Sequence, residues 1–405
     1  MSSTGSYVES LQGGGEVEVG VLVEHLLEDA IRAEASDIHL EPWEKGIVVR
    51  LRLNGVLKEL VHLPLEWMDK IGGRFKVMAN LVSYQTDIPQ EGHASAGPGF
   101  GNVELRISVF PTVRGEKIVV RLFDPRNRSF DLAKLGLEEE TLGVMTRLLA
   151  RPSGMLLLTG PTGSGKTTAI YASLTHLVER AGSTISISTV EDPVEYNLPM
   201  LSQTQINPLK EFTYARALRS LMRQDPQVIM VGEIRDAETA AIAVQAGLTG
   251  HLVISTIHSD STAGVFARLI NMDIEPFLLA SSVTGVMGLR LVRSNCPACS
   301  QPYDPDPVMV SLLTDDERDE AMFREGQGCE RCMGTGFAGR GALSEMLEVG
   351  EVVRGGILEK MPTRSLQAVA VREGMRTLWQ NGVRRVIAGR SPLEEIVRVV
   401  AVERL

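Results

Sequence analysis

The sequence predicts an α/β protein: a doubly wound sheet covered by helices on both faces, a smaller N-terminal α+β domain and a metal-binding insertion. Three observations carry this. Beyond residue 150, short apolar strands alternate with helical stretches. A glycine-rich phosphate-binding pattern stands between one such strand and the helix after it. All four cysteines fall between 296 and 332, as two C-x-x-C pairs. The chain has 405 residues, which suits two or three domains, and its 43% hydrophobic and 23% charged residues exclude disordered and collagen-like classes. With 41 basic against 51 acidic residues the net charge is −10, so nucleic acid is not an expected partner. No run of 18 uninterrupted apolar residues occurs, and Pro276 to Val292 reads as a buried helix rather than a membrane span. The N-terminus lacks the basic-then-apolar pattern of a signal peptide, so a cytoplasmic location is expected.

Residues 1–20 are Gly/Ser/Glu-rich and read as a loose segment. The small α+β domain is expected over 21–123. It opens with a helix to Ala35, in which Leu22, Leu26 and Ala30 keep helical spacing. Strands Ile38–Leu40 and Ile47–Leu53 follow, with Asn54-Gly55 as a hairpin turn. After a helix near 65–82, Val103–Val109 alternates apolar and polar residues, and Ile118–Phe123 is a further strand. Residues 124–133 are polar, turn-prone and read as a linker. The large domain is expected over 134–405, with strands Met155–Thr159, Thr184–Val190, Val228–Val231 and Leu252–Thr256. Its helices lie near 166–181, 213–224, 236–247 and 260–271, and 363–400 closes the chain with more helices.

Gly160-Pro161-Thr162-Gly163-Ser164-Gly165-Lys166-Thr167 satisfies G-x-x-x-x-G-K-[ST], with Thr168 next to it. Glycines let backbone amides wrap phosphates, the helix N-terminus adds positive potential, Lys166 reaches the outer phosphates and Thr167 can ligate Mg²⁺. Glu191, Asp192 and Glu195 follow a second strand, where such sheets bind ligands. The strand Val228–Val231 leads to Gly232-Glu233, so Glu233 is the candidate acid that orients the attacking water or the Mg²⁺ shell. Gly232 stands where many such ATPases carry aspartate. His251 and His258 bracket Leu252–Thr256 and are candidate γ-phosphate sensors.

Cys296-x₂-Cys299 and Cys329-x₂-Cys332, with 29 residues between them, have the spacing of a tetrahedral four-thiolate zinc site. Four protein ligands leave no open position, so the metal is expected to be structural. Residues 296–332 hold nine acids and three bases, which argues against a nucleic-acid-binding ribbon.

Taken together, Gly160–Thr168, Val190–Tyr196, Arg223–Pro226 with Met230–Asp236, and Leu248–His258 resemble the Walker A, Asp box, Walker B and His box of the type II secretion and type IV pilus assembly ATPases. The resemblance spans roughly 20–400. It also takes in Ala35–Pro42 upstream and Gly336–Arg340 downstream. Glu275–Ser282 and the tetracysteine look most like the type II secretion members. The resemblance implies a RecA-like domain and a hexameric motor at the cytoplasmic face of the inner membrane. That motor binds ATP between its small and large domains and drives a membrane platform protein that assembles pilin-like subunits. It makes Lys166 and Thr167 the phosphate and Mg²⁺ ligands, Glu191 and Glu195 the acidic box, Glu233 the catalytic acid, and His251 and His258 the His box. Arg106 and Arg121 would reach the γ-phosphate from the small domain.

The chain departs from that pattern at His93, at Lys117 and at Gln227, where relatives carry arginine, arginine and aspartate. A lysine cannot copy a bidentate guanidinium, so the small-domain contacts are where a difference is expected. The chain starts close to the small domain, so membrane docking through an extra N-terminal domain is not expected; association with the membrane would run through partners. Pilus assembly is the alternative within the class. A DNA translocase is disfavoured by the charge, and a nucleotide-gated scaffold without turnover is disfavoured by the intact Lys166 and Glu233.

Overall fold

The structure, a computed structural model, describes residues 2–11, 16–101, 103–124 and 130–400. The chain folds as two compact units, Met1–Arg128 and Ser129–Leu405.

The first unit is a six-stranded antiparallel sheet: β1 (Asp37–Trp43), β2 (Gly46–Leu53), β3 (Val56–Leu63), β4 (Gln90–Ser95), β5 (Glu104–Thr112) and β6 (Gly115–Phe123), in the order β3-β2-β1-β6-β5-β4. Asn54 and Gly55 both take positive φ (50° and 86°), the combination a two-residue hairpin between β2 and β3 requires. Strand alternation sorts the faces. Ile38, Leu40, Leu105, Ile107, Ile118 and Val120 pack into one core with Leu22, Leu26 and Leu27 of helix Val19–Arg32, and Ile71 and Phe75 of helix Met68–Met78. The polar positions between them form a charged face.

The expectation of a loose segment over 1–20 is corrected for Ser3–Leu11; residues 1 and 12–15 lie outside the described residues. Ser3–Leu11 is a helix, and Thr4 is fully buried. Its first amides find a cap on a neighbouring helix: Ser3 N and Thr4 N each donate to the Asp29 carboxylate at 2.8 Å. Composition does not reveal a cap supplied from 25 residues away.

The second unit is built on β7 (Gly154–Thr159), β8 (Ile187–Glu191), β9 (Ser202–Gln205), β10 (Val228–Val231), β11 (Leu252–Thr256), β12 (Val283–Asn295), the small pair β13 (Ser300–Pro302) and β14 (Arg324–Gly326), and β15 (Phe337–Glu348). The main sheet runs β15-β12-β7-β11-β10-β8-β9, parallel except for the antiparallel edge strand β15. Met155, Leu157, Ile229 and Val231 face the helices Tyr214–Leu221, Ala237–Leu248, Gly264–Ile270 and Pro276–Ser282. Leu156, Leu158, Met230 and Ile254 face Glu139–Leu149 and Lys166–Ala181. The sheet is therefore buried on both sides, as a doubly wound fold demands.

Two further expectations change. Pro276 to Val292 is not one buried helix: a short helix ends at Ser282 and β12 begins at Val283. Of the linker expected over 124–133, Pro125–Ser129 lie outside the described residues, and Leu132 is already buried in the second core. No helix among the described residues is long and apolar enough to cross a membrane.

Candidate nucleotide site and metal centre

Because β7, β8, β10 and β11 are parallel, the loops after them emerge at one edge. Hydrogen bonds bind that edge together. Ile257 N donates to Leu158 O (3.0 Å) and Ile234 N to Thr256 O (2.8 Å). Thr256 Oγ1 donates to Gly232 O (2.8 Å) and Thr159 Oγ1 to Ser259 O (2.8 Å).

After β7, Gly160, Gly163 and Gly165 take φ of 143°, 75° and 96°, a left-handed run that turns the loop back on itself before the helix begins at Lys166. A β-carbon on Gly160 would lie 2.5 Å from Leu289 O, so this position admits only glycine. Lys166 Nζ donates to Gly160 O (2.7 Å) and Pro161 O (2.9 Å), which holds it over the loop. Its pKa is lowered, by burial first and then by the neighbouring Arg290 guanidinium. Arg290, on β12, is a second cation at this loop: its Nη1 lies 3.1 Å from where a β-carbon on Gly160 would be. Sequence reading missed it, because β12 was taken for a helix. Pro161, Thr162 and Thr167 are exposed, Ser164 is buried, and Thr168 is half-buried.

Glu233 follows β10 and forms an ion pair with Arg235; His258 Nε2 stands 3.7 Å from its Oε2. Glu233 also lies close enough to Lys166 to favour that lysine's charged form. Lys166, Glu233 and His258 thus gather at one edge. Glu191 does not present a free side chain there. Glu191 is 3% exposed and accepts hydrogen bonds from Tyr171, Thr189 and Gln203, so its carboxylate fastens the end of β8. Glu195 is half-buried four residues further on. His251 is a correction. It precedes β11, and its carbonyl accepts from Gly154 N at the start of β7 (3.1 Å), so it lies at the opposite edge of the sheet. Five strand residues at about 3.3 Å each separate it from His258's end.

On the first unit, Arg106 and Arg121 are direct cross-strand partners on β5 and β6. Like charges so placed repel, and acids beside them offset the cost. Arg106 Nη2 donates to Glu91 (2.9 Å), Arg121 Nε to Asp37 (3.1 Å). The hydrogen bond from Arg106 holds Glu91 below the usual carboxylate range. His93 lies opposite Arg106 on β4, and Lys117 pairs with Glu41 at 2.6 Å.

The four cysteine sulfurs lie within 4.8 Å of one another, with Cys296–Cys329 and Cys299–Cys332 at 3.9 Å and Cys329–Cys332 at 3.7 Å. Zinc–sulfur bonds of about 2.3 Å in a tetrahedron place sulfurs about 3.8 Å apart, so the donor set fits zinc. Burial pushes the Cys332 thiol up, but amides of Cys329 and Gly336 donating to its sulfur outweigh this and bring it down to about 6. The backbone approach is close: a β-carbon on Gly326 would lie 1.9 Å from Gly336 O.

A RecA-like doubly wound sheet with a phosphate loop after β7, and an acid after β10 on the far side of β11, defines the class: a P-loop ATPase. The chain belongs to the Type II/IV secretion system protein family, whose model matches residues 14–398. It is 44% identical to the type II secretion system protein E of Pseudomonas aeruginosa over 94% of this chain and 75% of that one. It is 40% identical to the type IV pilus assembly ATPase PilB of Myxococcus xanthus, over 98% of this chain and 70% of that one. In fold it is similar to the ATPase DotB of Legionella pneumophila, with a TM-score of 0.70 at 20% identity over 95% of this chain and 97% of that one. Family membership implies ATP and Mg²⁺, and the cysteine cluster is compatible with Zn²⁺.

Proposed function

We propose that this chain is a cytoplasmic motor ATPase of type II secretion, working as a hexamer held peripherally at the inner membrane by its partners. ATP with Mg²⁺ binds at the Gly160–Thr168 loop, Lys166 neutralises the phosphates, and Glu233 orients the attacking water. Turnover drives an inner-membrane platform protein that assembles pseudopilus subunits, and Zn²⁺ on the four cysteines is structural. Arg106 and Arg121 act on the γ-phosphate. The observation that carries this reading is the gathering of Lys166 and Glu233 at one sheet edge in a chain of this family.

The test is Mg²⁺-dependent ATP hydrolysis by the purified chain, with its mass in solution followed by sedimentation. Turnover by a six-subunit species supports the motor, while tight ATP binding without turnover leaves the scaffold reading. Arg121→Ala is expected to cut turnover by roughly 10³-fold or more with a modest loss of ATP affinity, the size of an arginine acting on transferred phosphate. Wild-type turnover in that variant overturns its role. The likeness to PilB supports pilus assembly as the second reading; restoring secretion or restoring pili in strains lacking the respective motor decides between them.

A further inference from the structure

Asp37 stands at the head of β1, and its register partners are arginines on both sides: Arg52 on β2 and Arg121 on β6. The residue is 5% exposed. A buried carboxylate is costly unless donors match it, and its neighbours supply them. Arg121 Nε donates to Oδ1 at 3.1 Å, and Ser36 Oγ donates to Oδ2 at 2.8 Å. Arg52 Nε lies 3.5 Å from Oδ2. Because β1 is an interior strand of the sheet, its backbone is held on both sides as well. Asp37 is a fixed point on the charged face.

How an arginine is held decides which of its nitrogens it can offer. A guanidinium presents two donor edges to an anion, one that includes Nε and one made of the two Nη groups. Asp37 holds Arg121 by Nε, at the neck of a side chain that is 58% exposed, which leaves the Nη edge for a ligand. Arg106, the cross-strand partner of Arg121, is held differently. Its Nη2, at the tip, donates to Glu91, whose own side chain is 57% exposed. An exposed pair of that kind contributes little. One arginine is anchored at its base by a buried acid, and the other is tied at its tip by a surface one.

We propose that Asp37 is a positioning residue for phosphoryl transfer: it grips Arg121 by the neck, so that the Nη edge is set in advance to meet the oxygens of the γ-phosphate. An arginine on an exposed strand otherwise spreads over many rotamers, and ordering it beforehand removes that entropy loss from the transition state. Arg106 has no such anchor. The inference rests on the reading above in which Arg121 acts on the γ-phosphate.

The test is a double-mutant cycle on the full chain with Asp37→Ala, Arg121→Ala and both together. Single-turnover hydrolysis of radiolabelled ATP, which reads slow variants, is measured beside ATP affinity and the thermal midpoint. Asp37→Ala is expected to slow hydrolysis roughly ten- to hundredfold, the size of one hydrogen bond to a charged group, with ATP affinity within about twofold of the wild type. In the Arg121→Ala background the same change should slow it no further, because the group that Asp37 positions is gone. Asp37→Asn keeps an acceptor for Nε and should fall between the wild type and Asp37→Ala; it carries the same cycle if the alanine variant does not fold. An equal loss in both backgrounds means that Asp37 serves the fold alone, which overturns the proposal while Arg121 keeps its role. Full activity of Asp37→Ala overturns it too. Wild-type hydrolysis by Arg121→Ala sinks the reading on which the proposal stands, and the proposal with it.

Discussion

The nucleotide edge and the cysteine knuckle are two answers to the problem of holding a ligand. At the edge, strand ends from four stretches of sequence are locked together through backbone and hydroxyl hydrogen bonds, and the functional side chains rest on what lies beside them: Lys166 on loop carbonyls, Glu233 on Arg235, with His258 58% exposed. In the knuckle, two local C-x-x-C turns bring the ligand atoms themselves into place, with sulfurs 3.7 to 3.9 Å apart and amides donating to Cys332. The edge is fixed through its backbone, by bonds between strand ends distant in sequence. A site that keeps its ligand fixes the donors.

If the difference is real, changes at the edge cost activity without costing the fold. Lys166→Ala is expected to abolish ATP binding and turnover with a near-native thermal midpoint, and calorimetric titration with ATP is the check. Arg290, the neighbouring cation, could rescue part of the binding, and retention of more than a tenth of the affinity would show that it does. Glu233→Gln should still bind ATP and hydrolyse it about 10²-fold or more slowly, since a general-base or water-orienting group typically contributes 10²–10⁴-fold. Rapid hydrolysis by that variant removes Glu233 from the mechanism.

The sequence showed the edge and the knuckle to different depths for physical reasons. The phosphate loop and the cysteines are local patterns, and their spacing follows from backbone geometry, so both could be read directly. Glu233 was legible because an apolar strand points to it. His251 was misread through neglect of strand direction: a residue before a parallel strand lies at the edge away from the ligand, and the order His251-Leu252 already says so. β12 lies between β7 and β15 and is buried for most of its length, so it shows no polar alternation, and Arg290 was hidden inside a supposed helix.

Changes in the knuckle should do the reverse, costing local order without costing ATP binding. The wild-type chain is expected to carry one zinc ion, measured by elemental analysis of protein prepared without chelators. Cys329→Ser should lose the ion and expose the amides of 296–332 to hydrogen exchange. Structural zinc contributes on the order of 10–16 kcal/mol of apparent binding in isolated fingers. Here the loss is expected to be smaller, because Leu313 of the insertion packs with Val386, Leu393 and Ile396 in a core of its own kind. ATP affinity more than tenfold weaker in Cys329→Ser would break the division between the two regions.

The smallest expected effect tests whether the knuckle relies on metal alone. Just before its first cysteine, Arg293 donates to Glu395 through its backbone N (2.9 Å) and Nε (2.9 Å), and Arg398 Nε donates to the same carboxylate at 2.8 Å. Glu395 has a side chain only 1% exposed, so the pair ties β12 to the last helix, Leu393–Val399. Burial alone would raise the Glu395 pKa, but hydrogen bonds from Arg398 and Arg293 outweigh it and hold the carboxyl below its ordinary value of 4.5. The sign follows from that. With a folded pKa beneath the unfolded one, the stabilisation is fully present above about pH 4.5 and is lost as pH falls through the depressed folded value. Glu395→Gln should therefore lower stability by roughly 1.5–3 kcal/mol at neutral pH, the range for hydrogen bonds to a charged group. The gap between variant and wild type should narrow as pH falls below 4.5, through the depressed folded value. Thermal melts of zinc-free protein between pH 3 and 7 measure this without loss of metal in acid, and a gap that stays constant over that range means the carboxylate's charge contributes nothing to the fastening.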